Sequence, residues 1–407
     1  TGSAAGVFTS NGDQDVTLQT GNSTTGSITI TDGANGNIAI LPNGSGAVQL
    51  DGLSWPTADG SANQVLKTDG SGALSWTTSS SGASDLDDLS DSKSGGDHFT
   101  GSLILGHATT GTLNNAIGNT AVGYATLDAI TSGDYNTALG STVLSSNTSG
   151  NQNSAIGYNA LSANTTGDYN QAIGVSALAA NTTGYRNLAI GKDALDAADT
   201  EHDNLAIGYD ALGGAIDDGT YNVAIGNYSL DANTTGDYGT GVGYNALTSN
   251  TTGQRNTVIG ASALATNTTG NYNTASGYEA LTSNTTGNGN TASGYEALKD
   301  ANRTADTYSY NTALGYLAGN TGTNDVTTGN KNTLLGASSA ASAAAGTNQT
   351  VIGYGATGQA NNSVTLGNAD VTAVYMAQDA GATVYAATLD ISGDTDIDGT
   401  TNLDVVD

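Results

Sequence analysis

A unit of seventeen residues recurs along most of this chain, and its period constrains the fold more than any other feature of the sequence. The unit has the form Asn-Thr-Ala-Ile-Gly-Tyr-Asn-Ala-Leu-Ser-x-Asn-Thr-Thr-Gly-Asp-Tyr, and a central glycine marks each copy. Successive central glycines are one unit apart, except for a single gap that is one residue longer, and they are Gly123, Gly140, Gly157, Gly174, Gly191, Gly208, Gly226, Gly243, Gly260, Gly277 and Gly294. A fixed short period is typical of a solenoid, in which each copy stacks on the previous one.

The pattern inside each unit favours β-structure. Counted from the central glycine as position 0, an aliphatic residue stands at position −1, alanine at −2 in most units, and leucine at +4. The glycines and the Asn-Thr-Thr-Gly turns oppose a helix, whereas short apolar segments suit strands whose side chains alternate between faces. We therefore predict an all-β fold, a parallel β-solenoid or β-roll of about 17-residue coils with two short strands per coil. Positions −1 and +4 are expected to supply its bulky core residues.

Composition excludes several classes of protein. Eight basic residues oppose 37 acidic ones, so a phosphate backbone would be repelled and nucleic-acid binding is not expected. No apolar run is long enough to span a bilayer, so membrane insertion is not expected either. The absence of cysteine rules out a disulfide framework. Low hydrophobicity with a net charge of −29 would favour disorder, but the apolar residues always return at the same phase of the repeat.

The repeat divides the chain into four parts. Residues 1–80 hold short alternating runs bounded by turn residues, which predicts a β-rich attachment segment. Residues 81–100 are expected to be an acidic Gly/Ser linker. Residues 101–370 form the predicted solenoid. Residues 371–407 lose the period and show new short strands, and we expect them to lead into a further domain.

Asparagine occupies position −4 in nearly every unit. Stacked coils bring like residues into register about 4.8 Å apart, so we predict a ladder of side-chain amides that hydrogen-bond along the stack. Independent turn-forming asparagines are the alternative. The proposed ladder comprises Asn136, Asn153, Asn170, Asn187, Asn204, Asn222, Asn256, Asn273 and Asn290.

Tyrosine recurs at positions +1 and −5. Stacking of rings along the rod is the main interpretation, and contact with a carbohydrate is the alternative. The tyrosines at +1 that are candidates for such a surface contact are Tyr158, Tyr209, Tyr244, Tyr278 and Tyr295.

Two further features have alternative interpretations. Serine replaces the aliphatic residue of position −1 at Ser276 and Ser293. This indicates either a small polar pocket or hydrated layer, flanked by Glu279 and Glu296, or a tolerated weak step. Each Asn-Thr-Thr-Gly is interpreted as a turn, although it is also formally an N-glycosylation acceptor.

The apolar area that one coil buries stabilises it by less than the conformational entropy lost when its residues become ordered. A wider apolar seam shared between chains would offset that cost, and we therefore predict a homo-oligomer, in the form of a parallel homotrimer about a central axis.

Two segments carry a resemblance to known families. Asn-Ser-Ala-Ile-Gly at 153–157 and Ser-Val-Thr-Leu-Gly-Asn at 363–368 resemble head repeats of trimeric autotransporter adhesins, which are left-handed parallel β-rolls in trimers, although the adhesin repeat is shorter. The whole chain is more similar to tail-fibre proteins of tailed bacteriophages, especially marine ones, through Trp-Pro-Thr-Ala-Asp-Gly, Gln-Val-Leu and Leu-Ser-Trp within 55–76.

This resemblance implies a structural and host-recognition fibre on the virion tail, outside the cell. Its implied partners are its own copies, other phage tail proteins and a host surface glycan or protein receptor. A bacterial trimeric surface adhesin is the alternative. The resemblance also implies a self-cleaving C-terminal chaperone, which is not visible in the sequence.

Catalysis, cofactors and metal binding are not expected. Acidic groups such as Asp217-Asp218 and Glu201-His202-Asp203 fall in turns without an apolar cleft that would tune them. The histidines, His98, His107 and His202, are too scattered for a metal set. An ice-binding solenoid is a minor option because threonine recurs at position −3, but Leu188, Leu205 and Val223 interrupt that column.

Overall fold

The chain divides into two units, Thr1–Ser84 and Asp85–Asp407. The computed structural model describes residues 49–50, 53–56, 58, 60–62, 64–78, 92–94, 101–105, 114–302 and 308–374. The strands predicted before residue 49, most of the linker and nearly all of 371–407 lie outside these residues.

The described residues of the first unit form two short antiparallel hairpins. Strand β1 (Gln49–Leu50) pairs with β2 (Leu53–Ser54), and β3 (Gln64–Thr68) pairs with β4 (Leu74–Thr78). Trp76 Nε1 donates a hydrogen bond to Ala58 O at 2.8 Å, and its ring lies against Gly60, where a Cβ would come within 2.7 Å of it. Trp76 is half-buried, which agrees with a local packing role, whereas Trp55 is exposed.

The second unit is a parallel β-solenoid of about 15 turns, as predicted from the period. Strand β5 (Ser92–Ser94) pairs antiparallel with β6 (Leu103–Leu105), and every later strand pairs parallel with its predecessor. Like residues face like residues, as where Ala155 pairs with Ala172 and Ile156 with Ile173. The later strands are β7 (Thr120–Val122), β8 (Thr137–Leu139), β9 (Ser154–Ile156), β10 (Gln171–Ile173), β11 (Leu188–Ile190), β12 (Leu205–Ile207), β13 (Val223–Ile225), β14 (Thr240–Val242), β15 (Thr257–Ile259), β16 (Thr274–Ser276), β17 (Thr291–Ser293), β18 (Thr312–Leu314), β19 (Thr333–Leu335), β20 (Gln349–Ile352) and β21 (Ser363–Leu366).

Each coil contains one strand, and the prediction of two was wrong. The segment that carries the leucine of position +4 runs through turns in which Asn159 has a φ of 61° and Leu161 a φ of 50°. It still bonds from coil to coil, since Leu161 N donates to Ala177 O at 3.0 Å and Ala163 N to Ala179 O at 3.1 Å. The left-handed φ values, which cost about 1–2 kcal/mol each for such residues, are held by this ladder between coils.

The core lies between the alanine of position −2 and the leucine of position +4, which are fully buried, as at Ala155 and Leu161. The prediction that position −1 supplies the core was wrong, because Ile156 is 40% exposed. Neighbouring residues of a strand point to opposite faces, so positions −1 and −2 cannot both point inward. Opposite the leucine, position −2 is usually alanine, although Val258, Leu334 and Val351 are also buried there, and position −1 faces outward.

The central glycine is required by both conformation and space. Gly157 has a φ of 143°, and a Cβ at this position would lie 2.2 Å from the carbonyl oxygen of Gly174 in the next coil. The coils approach so closely here that any side chain would force them apart.

Asparagine ladders and candidate surface sites

The asparagines of position −4 form a buried ladder. All nine that were named from the sequence are buried. At Asn153, Nδ2 donates to Gly167 O at 2.8 Å and to Asn136 Oδ1 at 3.1 Å, while the backbone N donates to Asn136 Oδ1 at 3.0 Å. Each side chain therefore links two coils mainly through backbone groups, which is how a buried amide satisfies its own polar atoms.

A second buried ladder was missed from the sequence. Asn164 Nδ2 donates to Asn147 Oδ1 at 2.7 Å and to Gly167 O at 3.1 Å, and the asparagine of each Asn-Thr-Thr-Gly turn lies at the same place. A glycan on such a buried amide would not fit the folded coil, so the glycosylation interpretation fails. The members of this ladder are Asn147, Asn164, Asn181, Asn233, Asn250, Asn267 and Asn284.

The second ladder runs in two blocks. Ile130, Ala198 and Ile216 are buried in coils that lack the asparagine, so an apolar residue fills its place. Asn181 Oδ1 and Asn284 Oδ1, at the ends of the two blocks, are buried without a hydrogen-bond partner. The ladder thus leaves one acceptor unsatisfied wherever the column of asparagines stops.

The outward strand face carries positions −3 and −1. Along most of the solenoid, position −1 presents a partly exposed column of aliphatic side chains, such as Ile156, Ile173 and Ile259. Ser276 and Ser293 belong to this column and face outward, while Ala275 and Ala292 occupy the core. Position −1 is not a core position, so these serines leave the core unchanged.

A charged cluster follows these serines in the chain. Lys299 Nζ lies 2.6 Å from Glu279 Oε2 and 3.4 Å from Glu296 Oε1. The Lys299 ammonium beside Glu279 holds the pKa of that carboxyl below its usual range. The two glutamates are thus partly neutralised by one lysine on the surface of the rod.

The tyrosines of position +1 are exposed and lie just beyond the end of each strand. Tyr278, Tyr295 and Tyr316 stack on one another, with ring centroids 5.3 and 5.2 Å apart and planes within 16°. Tyr209 and Tyr244 do not stack directly, because Tyr228 lies between them. Tyr158 has no tyrosine at +1 in either neighbouring coil and is exposed.

The carboxylates of the segment Glu201-His202-Asp203 are engaged in hydrogen bonds to nearby residues. Glu201 is buried, and its carboxylate accepts hydrogen bonds from the backbone N of Asp199 and Thr200, at 2.7 and 3.1 Å. Asp203 accepts from Arg186 Nε and Nη2 at 2.6 Å, and this contact lowers the pKa of Asp203.

Four aspartates gather near the coil that follows Gly191. Burial raises the pKa of Asp196 to about 6, and the neighbouring carboxylates of Asp193 and Asp210 act in the same direction. Burial likewise raises the pKa of Asp231. These carboxyls are crowded against each other, and none of the described groups of His, Cys, Asp and Glu has three members placed to hold a metal ion. His98 and His107 lie outside the described residues.

The last turns enclose a cleft of about 560 Å³ between Gly355, Gln359, Thr365 and Asp370. None of the described residues belongs to a helix long and apolar enough to cross a bilayer. Comparison of the chain with protein-family models, curated proteins and solved structures finds no match. Inferences about function therefore rest on the surface features of the solenoid and on the sequence resemblance.

Proposed function

We propose that this chain is a subunit of a homotrimeric host-recognition fibre on the tail of a tailed bacteriophage. In this proposal the solenoid is a stiff rod, and its outward columns present the same side chains many times to a cell surface. The stacked coils support the rod, and the resemblance within residues 55–76 supports the phage setting.

The observation that carries the proposal is the exposed aliphatic column of position −1. Sixteen stacked strands, from β6 to β21, make the column. With a spacing of about 4.8 Å and a strand about 10 Å wide, the face measures roughly 700 Å² per chain. A standard protein interface buries about 800 Å² per partner. A face of this size, lined by residues such as Ile156 and Ile173, is suited to being covered by further copies of the chain.

Repetition supplies the binding mechanism. Weak contacts between repeated side chains and repeated receptor groups add up when several form at once, because the later contacts are intramolecular. Three chains side by side would multiply that effect.

Sedimentation and native mass measurement of the full chain test the assembly. We expect a trimer, and we expect Ile156→Asp with Ile173→Asp to reduce it to folded monomers because charges would be buried in the seam. Thr166→Asp, on an exposed turn, is the matched control and should remain trimeric. A stable folded monomer of the unaltered chain would refute the assembly.

Electron microscopy with an antibody against the chain tests the setting. Label on virion tails is the expected result. Label on bacterial surfaces without virions would instead favour the alternative, a bacterial trimeric adhesin. Binding of the labelled chain to host cells, measured beside non-host cells, tests recognition.

A further inference from the structure

Three places in the column of position +1 share one arrangement, in which two tyrosines flank a coil whose own residue is small. Each arrangement leaves a gap one coil wide between two exposed aromatic side chains. We call these gaps tyrosine slots. They are Tyr124–Ser141–Tyr158, Tyr244–Ala261–Tyr278 and Tyr316–Ala337–Tyr354.

The width of a slot follows from the coil spacing. Where tyrosines occupy consecutive coils, the ring centroids are 5.3 Å apart for Tyr278 and Tyr295 and 5.2 Å apart for Tyr295 and Tyr316. Two such steps separate the walls of a slot by about 10 Å, so a ring halfway between them would lie about 5 Å from each wall. That separation falls within the range of roughly 4.5–7 Å over which rings pack favourably.

The chain itself fills a gap of this kind with a ring. Tyr209 and Tyr244 are also two coils apart, and Tyr228 of the coil between them inserts its ring. The centroid of Tyr228 lies 5.3 Å from that of Tyr209 and 6.1 Å from that of Tyr244, edge-on to both. A six-membered ring therefore fits between tyrosines two coils apart.

A second filled gap occurs in the column of position −5. The guanidinium carbon of Arg255 lies 5.4 Å from the ring centroid of Tyr238 and 5.6 Å from that of Tyr272. Two independent columns thus use the same spacing to hold a flat group between tyrosines, whereas the three slots present only Ser141, Ala261 or Ala337 at that place.

The exposed fractions of the tyrosine side chains show how much aromatic surface in the slots faces solvent. Tyr295, with a ring on each side, is 43% exposed, whereas the slot tyrosines range from 46% at Tyr278 to 75% at Tyr124 and Tyr354. The slots therefore leave aromatic surface without a partner, most of it at Tyr124 and Tyr354.

We infer that each tyrosine slot binds one pyranose ring of a neutral glycan, held between the faces of its two tyrosines. The electron-rich face of tyrosine attracts the C–H groups on the faces of a sugar ring. Asn245 and Ser262, which directly follow Tyr244 and Ala261 in the chain, add an amide and a hydroxyl of the kind that suit sugar hydroxyls. A net charge of −29 opposes anionic sugars and nucleotides, so the ligand is uncharged. This inference names the receptor chemistry and rests on the proposed fibre function for its biological setting.

The first test fills each slot with a tyrosine ring, the group that occupies position +1 in neighbouring coils. The variant Ser141→Tyr, Ala261→Tyr and Ala337→Tyr completes the stacks, and position +1 already accepts tyrosine in neighbouring coils. Full-length protein is applied to an array of neutral and anionic bacterial oligosaccharides. We expect retention of the unaltered chain on neutral oligosaccharides, and at least about a tenfold loss in the filled variant because multivalent contact is removed. Hydrogen exchange of the filled variant should show a fold at least as protected as the original.

A second variant tests a gain of binding. Tyr228 has a φ of 59°, a conformation that asparagine tolerates, so Tyr228→Asn removes the ring and opens a fourth gap between two tyrosines, with Asn227 at position +1 of its middle coil. Retention on the same neutral oligosaccharides should increase. Equal retention by the original, filled and opened proteins would overturn the inference.

Failure of the slots and failure of the fibre function give different results. Trimers that adhere to host cells but bind none of the array would overturn the slots and leave the fibre function standing. Monomers that bind neutral oligosaccharides, lose that binding when the slots are filled and do not adhere to cells would sustain the slots and refute the fibre.

Discussion

Replacing Asn170 with alanine is expected to open the coils on either side of it. Asn170 is fully buried, its Nδ2 donates to Gly184 O at 2.7 Å, and its Oδ1 accepts from Asn187 N at 3.0 Å. Truncation leaves the buried N–H of Asn187 without a partner, whereas Gly184 O keeps the hydrogen bond from Asn181 Nδ2. The unpaired N–H costs about 1–3 kcal/mol and the lost hydrogen bond to Gly184 O about 1 kcal/mol, so the coil should lose on the order of 3 kcal/mol.

Hydrogen exchange followed by mass spectrometry is the suitable assay, because a solenoid can open locally and a single melting temperature would average over its coils. A loss of about 3 kcal/mol corresponds to roughly a hundredfold faster exchange through local opening. The increase should appear in peptides covering residues 153–204 and be absent from residues 311–352, which lie several coils away.

Asn227→Ala is the matched control. Asn227 is exposed, and its Oδ1 accepts one hydrogen bond, from Tyr209 N at 2.9 Å, where water can replace it. We expect a change below about 1 kcal/mol. Equal effects of Asn170→Ala and Asn227→Ala, or protection of residues 153–204 unchanged in Asn170→Ala, would refute the claim that the ladder holds the coils together.

Three further changes probe the glycine column, the core and the acidic cluster. Gly157→Ala should cost at least about 3 kcal/mol because it adds a clash to a strained φ, whereas Gly322→Ala, with a φ of 83° and open space around it, should cost less; hydrogen exchange compares them. Leu178→Ala should destabilise its coil by about 2–5 kcal/mol through a cavity, again measured by exchange; a loss below about 1 kcal/mol would contradict its core role. The folded-state pKa of Asp196, about 6, exceeds the ordinary 3.8, so its contribution to stability falls as pH rises from about 4 through 6. Asp196→Asn should therefore raise the free energy of unfolding at pH 7 by on the order of 1 kcal/mol after solvent screening and have little effect at pH 4. Denaturant unfolding at pH 7 and at pH 4 tests this expectation, and an equal effect of the substitution at the two pH values would contradict it.

The period, the parallel stacking and the place of the leucine in the core could be predicted from the sequence, because residues that recur at one phase must share one environment. The prediction failed at position −1, where hydrophobicity was given more weight than alternation. The sequence held the corrective signal: position −2 is alanine in most units and never polar before the last coil, whereas position −1 accepts isoleucine, leucine, valine and, at Ser276 and Ser293, serine. A position that accepts polar residues without a change of period faces water.

Two features could not be obtained from local rules. The second asparagine ladder lies within Asn-Thr-Thr-Gly, a sequence that local propensity explains fully as a turn. Its replacement by Ile130 or Ala198 in other coils was the only sign that the position is buried. The left-handed φ of residues such as Leu161 contradicts intrinsic preference, and it exists because hydrogen bonds between coils impose it. The tyrosine slots likewise depend on the spacing of neighbouring coils, which sequence alone does not measure.

The near identity of the coils affects how the chain reaches the native register, in which each coil pairs with its proper neighbours. Moving one segment by a whole coil would place like residues opposite like residues again, so slipped arrangements compete closely with the native one. The irregular coils remove this degeneracy: the one from Gly208 to Gly226 is slightly longer than the common repeat, and those that begin at Gly294 and Gly315 are longer still. A slipped chain would place a long turn against a short one at these steps. The irregular coils thus fix the register of an otherwise periodic chain. A variant with every coil trimmed to the common length should fold into a mixture of registers.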